Sequence, residues 1–139
     1  MANRYYRNQA FTLDPAIVKL FARVTFGAAG APTLVAAQSK GVVSVTRNSQ
    51  GVFTFVFGTQ AGMLDVYNQL KSVNVLFDTI GAPGVPAAPF YYLSGNSVAT
   101  AGTCSLQLTF LDADTPAVTD PGNGEAIYVE FTFKNSTAQ

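Results

Sequence analysis

Val52-Phe53-Thr54-Phe55-Val56-Phe57 decides the fold of this chain. Six β-branched and aromatic residues in succession favour a strand, and period-two alternation puts Phe53, Phe55 and Phe57 on one face. Val52, Thr54 and Val56 take the other face, which is still mostly apolar, so the strand reads as covered on both sides. Just upstream, Val43 and Val45 alternate with Ser44 and Thr46, and Arg47-Asn48-Ser49-Gln50-Gly51 separates the two runs. Gly51 supplies a permissive backbone there, so Gly41 to Phe57 reads as a β-hairpin.

The remaining runs follow the same pattern. Ala16 to Phe26 alternates Val18, Leu20, Ala22, Val24 and Phe26 with Lys19, Arg23 and Thr25. Ile17, Leu20, Phe21 and Val24 also fit helical spacing after Asp14-Pro15, but the β-branched and aromatic content favours a strand. The stretch from Gly27 through Pro32 breaks it. Val73 to Phe77, Phe90 to Leu93, Cys104 to Leu111 and Ala126 to Lys134 complete the strands, with turns at Asn96-Ser97 and Ala101-Gly102. Met63, Val66, Tyr67 and Leu70 recur at helical spacing, which predicts at most one short helix near 63–70, or a tight loop with an apolar base. Prolines 83, 86 and 89 make 81–89 a surface loop. Short strands, Gly/Pro turns and no long helix predict an all-β, single-domain β-sandwich of jelly-roll type. It spans 14–139, behind an extended arm at 1–13.

Composition narrows the function. Among 139 residues 48% are hydrophobic and 12% charged, about half the usual charged share, and eight basic residues cancel eight acidic ones. Such a surface exerts no long-range pull on nucleic acid or anionic lipid and does little to keep copies apart. With no histidine, Ser-His-Asp and Cys-His sites cannot be built, and one cysteine cannot supply a zinc site or an internal disulfide. Cys104 alternates with Leu106, Leu108 and Phe110 and reads as a small buried apolar residue. Ser39-Lys40 is adjacent rather than spaced Ser-x-x-Lys. Glu125 and Glu130 would face opposite sides of a strand, and Glu130, Thr132 and Lys134 form its polar face. Asp112-Ala113-Asp114-Thr115-Pro116 starts like a calcium loop, but proline holds the fifth position and Asn123 the place of the bidentate glutamate. A looser site of Asp112, Asp114, Asp120 and Glu125 stays open beside the favoured reading, a solvated turn. The chain therefore reads as no enzyme, with no cofactor, metal or small-molecule substrate.

Candidate contact residues lie elsewhere. Arg4, Tyr5, Tyr6, Arg7 and Phe11 combine residue types enriched at interfaces, although the tyrosines could equally cover the domain's own core edge. Pro83, Val85 and Pro86 sit in the apolar loop. Arg4, Arg7, Lys19 and Arg23 are the only basic concentration, and zero net charge argues against nucleic acid as the main partner. No apolar run suits a signal peptide or a membrane span.

Met1-Ala2-Asn3-Arg4-Tyr5-Tyr6-Arg7, Gly27-Ala28-Ala29-Gly30-Ala31-Pro32-Thr33-Leu34, the run from Ser39 to Ser49, and Phe131-Thr132-Phe133-Lys134-Asn135-Ser136-Thr137 resemble small virion proteins of tailed bacteriophages. The family suggested is the cement, or decoration, proteins of the capsid exterior. The resemblance implies a jelly-roll-like fold and homodimers or homotrimers clamped onto a shell of major capsid protein with the HK97-type fold. It also implies manufacture in a host bacterial cytoplasm and no catalytic residues. The alternative is a receptor- or glycan-binding module of a tail or head fibre, with Tyr91, Tyr92, Asp112 and Asp114 lining a sugar site.

Overall fold

A computed structural model describes residues 17–58, 69–78, 90–99, 104–112, 115 and 117–134. Among the described residues eight strands follow one another: β1 Ile17–Phe26, β2 Pro32–Leu34, β3 Val42–Ser49, β4 Val52–Phe57, β5 Gln69–Asp78, β6 Phe90–Asn96, β7 Ser105–Leu111 and β8 Ala126–Lys134. They form two antiparallel four-stranded sheets, ordered β2-β1-β8-β5 and β3-β4-β7-β6. The chain is an all-β sandwich. Its N-terminal and C-terminal described strands lie side by side in the middle of the first sheet, and two hairpin pairs, β3–β4 and β6–β7, join through β4 and β7 in the second.

The alternation of the deciding hexapeptide is what welds the sheets. Phe53, Phe55 and Phe57 are buried and meet rings from the opposite sheet. Phe53 packs edge-on against Phe26 at 5.2 Å, and Phe57 against Phe131 at 4.8 Å and Phe133 at 5.1 Å. Phe55 also meets Phe131, at 5.3 Å. Edge-to-face pairs of this kind add about 0.5–1.5 kcal/mol each beyond the apolar area they bury. Val18, Leu20, Ala22 and Val24 of β1 and Ile127 and Val129 of β8 complete the inner face of one sheet, with Leu106, Leu108 and Phe110 of β7 on the other. Cys104 is buried, its Sγ donating to the Val98 carbonyl at 3.4 Å.

Several expectations need correcting. Gln69 and Leu70 belong to a strand, not a helix near 63–70; residues 63–68 lie outside the described residues. Leu70 pairs with Phe133, and the edge β8 offers outweighs the 3.6-residue periodicity, with a register shift between Leu70 and Ser72 letting β5 start four residues earlier than expected. A second shift between Val42 and Ser44 turns Val42 into the core and leaves Val43 exposed, so Val43 does not share an inner face with Val45. Pro32 does not merely break β1. With Thr33 and Leu34 it forms β2, allowed because the strand lies at a sheet edge. The helical pieces among the described residues are two three-residue 3-10 turns, Ala28–Gly30 and Ala36–Gln38.

Candidate functional site

The expected contact residues Arg4, Tyr5, Tyr6, Arg7, Phe11, Pro83, Val85 and Pro86, and the arm at 1–13, lie outside the described residues. The sites tested for chemistry resolve into structural roles where they are described. Ser39 Oγ donates to the Val35 carbonyl at 2.8 Å and accepts the Arg23 amide at 3.0 Å, so it pins the second 3-10 turn to β1. Lys19 Nζ meets Glu130 at 3.1 Å across the first sheet. Tyr91 and Tyr92 point to opposite faces: Tyr91 packs on the core, its hydroxyl accepting the Val75 amide at 3.2 Å, while Tyr92 is exposed. They cannot line one sugar site together.

Asp114 lies outside the described residues, and the other acidic residues part company. Among the described residues no three acidic side chains gather as a metal site. Glu125 Oε2 accepts the Gly122 amide at 2.7 Å and caps its own turn. Asp120 binds Arg47 with both oxygens, Nε at 2.9 Å and Nη2 at 2.7 Å, and also accepts the Gly51 amide at 2.8 Å. The bidentate Arg47 hydrogen bonds hold the Asp120 carboxyl below its ordinary value, assisted by the Gly51 amide and opposed by partial burial. The same bonds raise Arg47, which is charged throughout. Asp120 thus ties the segment before β8 to the β3–β4 turn. Gly51 reaches φ +67° to make that turn, and a Cβ on it would lie 2.6 Å from Val118.

Two surfaces remain with features that packing does not explain. One is the side of the sandwich where the edge strands β5 and β6 meet. The Tyr91 hydroxyl and the ring contacts of Phe110 with Phe77 (5.8 Å) and Tyr91 (6.4 Å) hold the strands together there. Around it lie the most exposed large hydrophobics: Leu76 at 66% of full exposure, Phe90 at 59%, Tyr92 at 49% and Leu93 at 43%. The seven residues of β6 include neither a charge nor a proline, the usual guards of an edge strand.

The other surface is the outer face of the first sheet. Register places Phe21, Glu130 and Asn74 in one row across β1, β8 and β5, and Arg23, Tyr128 and Leu76 in the next. Between them a groove of about 300 Å³ is floored by Ala22, Val129 and Val75 and flanked by Gln38. Arg23 stabilises one end. It sits 5.3 Å from the Tyr128 ring centre, donates from Nη1 to Gln38 Oε1 at 2.9 Å, and stands 3.7 Å from Asp78. Its Nε is buried without an acceptor. The expected contact residues do not mark this groove; Glu130 and Arg23, weighed in the sequence for other chemistry, lie in it and at its end. The available signal was a break in alternation: Phe21, Leu76 and Tyr128 are apolar or aromatic at positions where each strand is otherwise polar. No family model, curated protein or solved structure matches the chain.

Proposed function

We propose that this chain is a structural virion protein of the cement type, one that adds to the outside of a phage head and stabilises it by burying surface shared with neighbours. The observation that carries the proposal is the β5–β6 side. A seven-residue edge strand with no charge, flanked by Leu76, Phe90, Tyr92 and Leu93, is an open template for another chain. Natural sandwiches guard such an edge or cover it, and among the described residues no charge, proline or further strand guards this one. Zero net charge removes the electrostatic barrier to bringing copies together. The sequence resemblance names the shell as the partner, and the tight phenylalanine core gives the rigid body that a clamp needs.

The gain per copy comes from apolar burial, about 25 cal/mol per Å² before ordering costs are subtracted. Repetition over a shell multiplies it. The test mixes purified protein with empty phage heads, then measures co-sedimentation, copies per head and the temperature at which heads break. Hundreds of copies and a raised breaking temperature support cement. A handful of copies confined to the tail would instead indicate a fibre module, and no co-sedimentation would refute the proposal. Phe90→Lys with Tyr92→Lys places two charges on the edge and should abolish binding while the core is untouched.

A further inference from the structure

We propose that the groove across the outer face of the first sheet binds a neutral saccharide. This goes beyond the shell-binding reading and does not depend on it: the groove lies on a different face from Phe90 and Tyr92 and shares Leu76 alone with the surface proposed to meet the shell.

Its walls are of two kinds. Phe21, Tyr128 and Leu76 present apolar surface, with Tyr128 held in place by Arg23. A pyranose offers an apolar face of C–H groups that packs against such rings. Between them stand Asn74, Gln38 and Glu130, an amide, an amide and a carboxylate. Planar groups of this type donate and accept side by side, which suits paired hydroxyls. Among the described residues the Asn74 side chain is exposed and has no hydrogen-bond partner, and the Gln38 carbonyl oxygen is fixed by Arg23, so its amide nitrogen faces away from that bond. The volume, about 300 Å³, falls at the lower end of small-ligand clefts, enough for a short sugar and too small for a large cofactor.

Charge and backbone decide against other occupants. Lys19 is matched by Glu130 and Arg23 by Asp78, which leaves Lys40, bridged to Phe21 at the rim, as the cation an acidic ligand would meet, and the acidic competitor below tests that occupant. The floor is the middle of the sheet, where β8 is laddered on both sides to β1 and β5. The β8 main chain is already engaged, so a peptide lying over it would find none of the backbone hydrogen bonds by which extended segments are usually bound, those on offer being at the β5 edge. Recognition has to come from side chains above the sheet, which suits a hydroxylated ring.

The experiment uses the whole protein and saturation-transfer NMR against methyl glucosides, galactosides and mannosides and their disaccharides. An acidic disaccharide and a pool of neutral dodecapeptides serve as competitors. Saturation of ring protons in a neutral sugar is expected, with affinity about tenfold weaker in Tyr128→Ala and in Asn74→Ala and unchanged in Tyr92→Ala on the other sheet. Asn74 is an exposed surface residue, so its variant reads the site even if Tyr128→Ala folds poorly. No transfer to any neutral sugar, binding only of the acidic sugar or the peptides, or full affinity in Asn74→Ala would each overturn the proposal.

Discussion

Replacing Asp120 with alanine tests whether one carboxylate ties the segment before β8 to the β3–β4 turn. Three hydrogen bonds end on that side chain, two from Arg47 and one from the Gly51 amide. The ion pair contributes little on its own, because the Arg47 side chain keeps 32% of its exposure and water can replace its partner. Gly51 is different. It is buried in the turn, and its amide would lose its only acceptor; an orphaned buried donor costs about 1–3 kcal/mol. The expected loss is therefore about 2 kcal/mol. For a domain of this size that lowers Tm by roughly 8 °C. Asp120→Asn keeps an oxygen for Gly51 but not the charge, and should lose roughly half as much. The pH dependence separates the charge from the shape. Because the folded carboxyl lies below its ordinary 3.8, the stabilisation is complete above about pH 4 and fades as pH falls through the lowered folded value. Thermal melts of wild type and Asp120→Asn should stand apart at pH 7 and converge as pH falls through the lowered folded value. A constant gap between the two melts across that range, or an Asp120→Ala Tm within 2 °C of wild type (well under the roughly 8 °C expected), would show that the network does not act as described.

The other predictions concern the core, the thiol and the first turn. Phe131→Ala removes a ring that meets Phe55, Phe57 and Phe133 at the centre of the sandwich, and should cost about 3–5 kcal/mol in denaturant unfolding. Cys104 is buried, so a thiol reagent should label it only as fast as the protein opens, and labelling should accelerate in Phe131→Ala. Gly30→Ala should lower Tm by several degrees and weaken the Asp120 network as well, because Gly30 sits at φ +70° and its new Cβ would lie 2.5 Å from Asp120 Cγ.

Why some of this is legible in the sequence and some is not follows from the range of the forces. The inner faces are read off alternation within single strands: Phe53, Phe55 and Phe57 in β4, and Val129, Phe131 and Phe133 against Glu130, Thr132 and Lys134 in β8, fall as period two dictates. The hairpin follows from Asn48, Ser49 and Gly51, residues that make turns by local chemistry. Two single-residue register shifts are invisible locally. They exchange Val43 for Val42 and extend β5 back to Gln69, and only the neighbouring strand fixes them. Pro32 reads as a breaker unless the strand is known to be an edge. The Arg47–Asp120 bond joins residues 73 apart, and nothing near either one announces the other.

The groove shows the same limit from the side of function. Phe21, Leu76 and Tyr128 each break the polar pattern of an outward strand face, and each alone is the kind of exposed apolar residue that most proteins carry. What makes them a surface is register. Phe21 and Asn74 flank Glu130 from either side, and Arg23 and Leu76 flank Tyr128. A slip of one residue between β5 and β8 would turn Leu76 inward and Val75 outward, bury an amide and dissolve the groove. The buried phenylalanines that set that register therefore also set the binding face. This couples the two: any substitution that loosens Phe77 or Phe133 should disturb the groove before it unfolds the sandwich, since both lie on the strands that carry its rows.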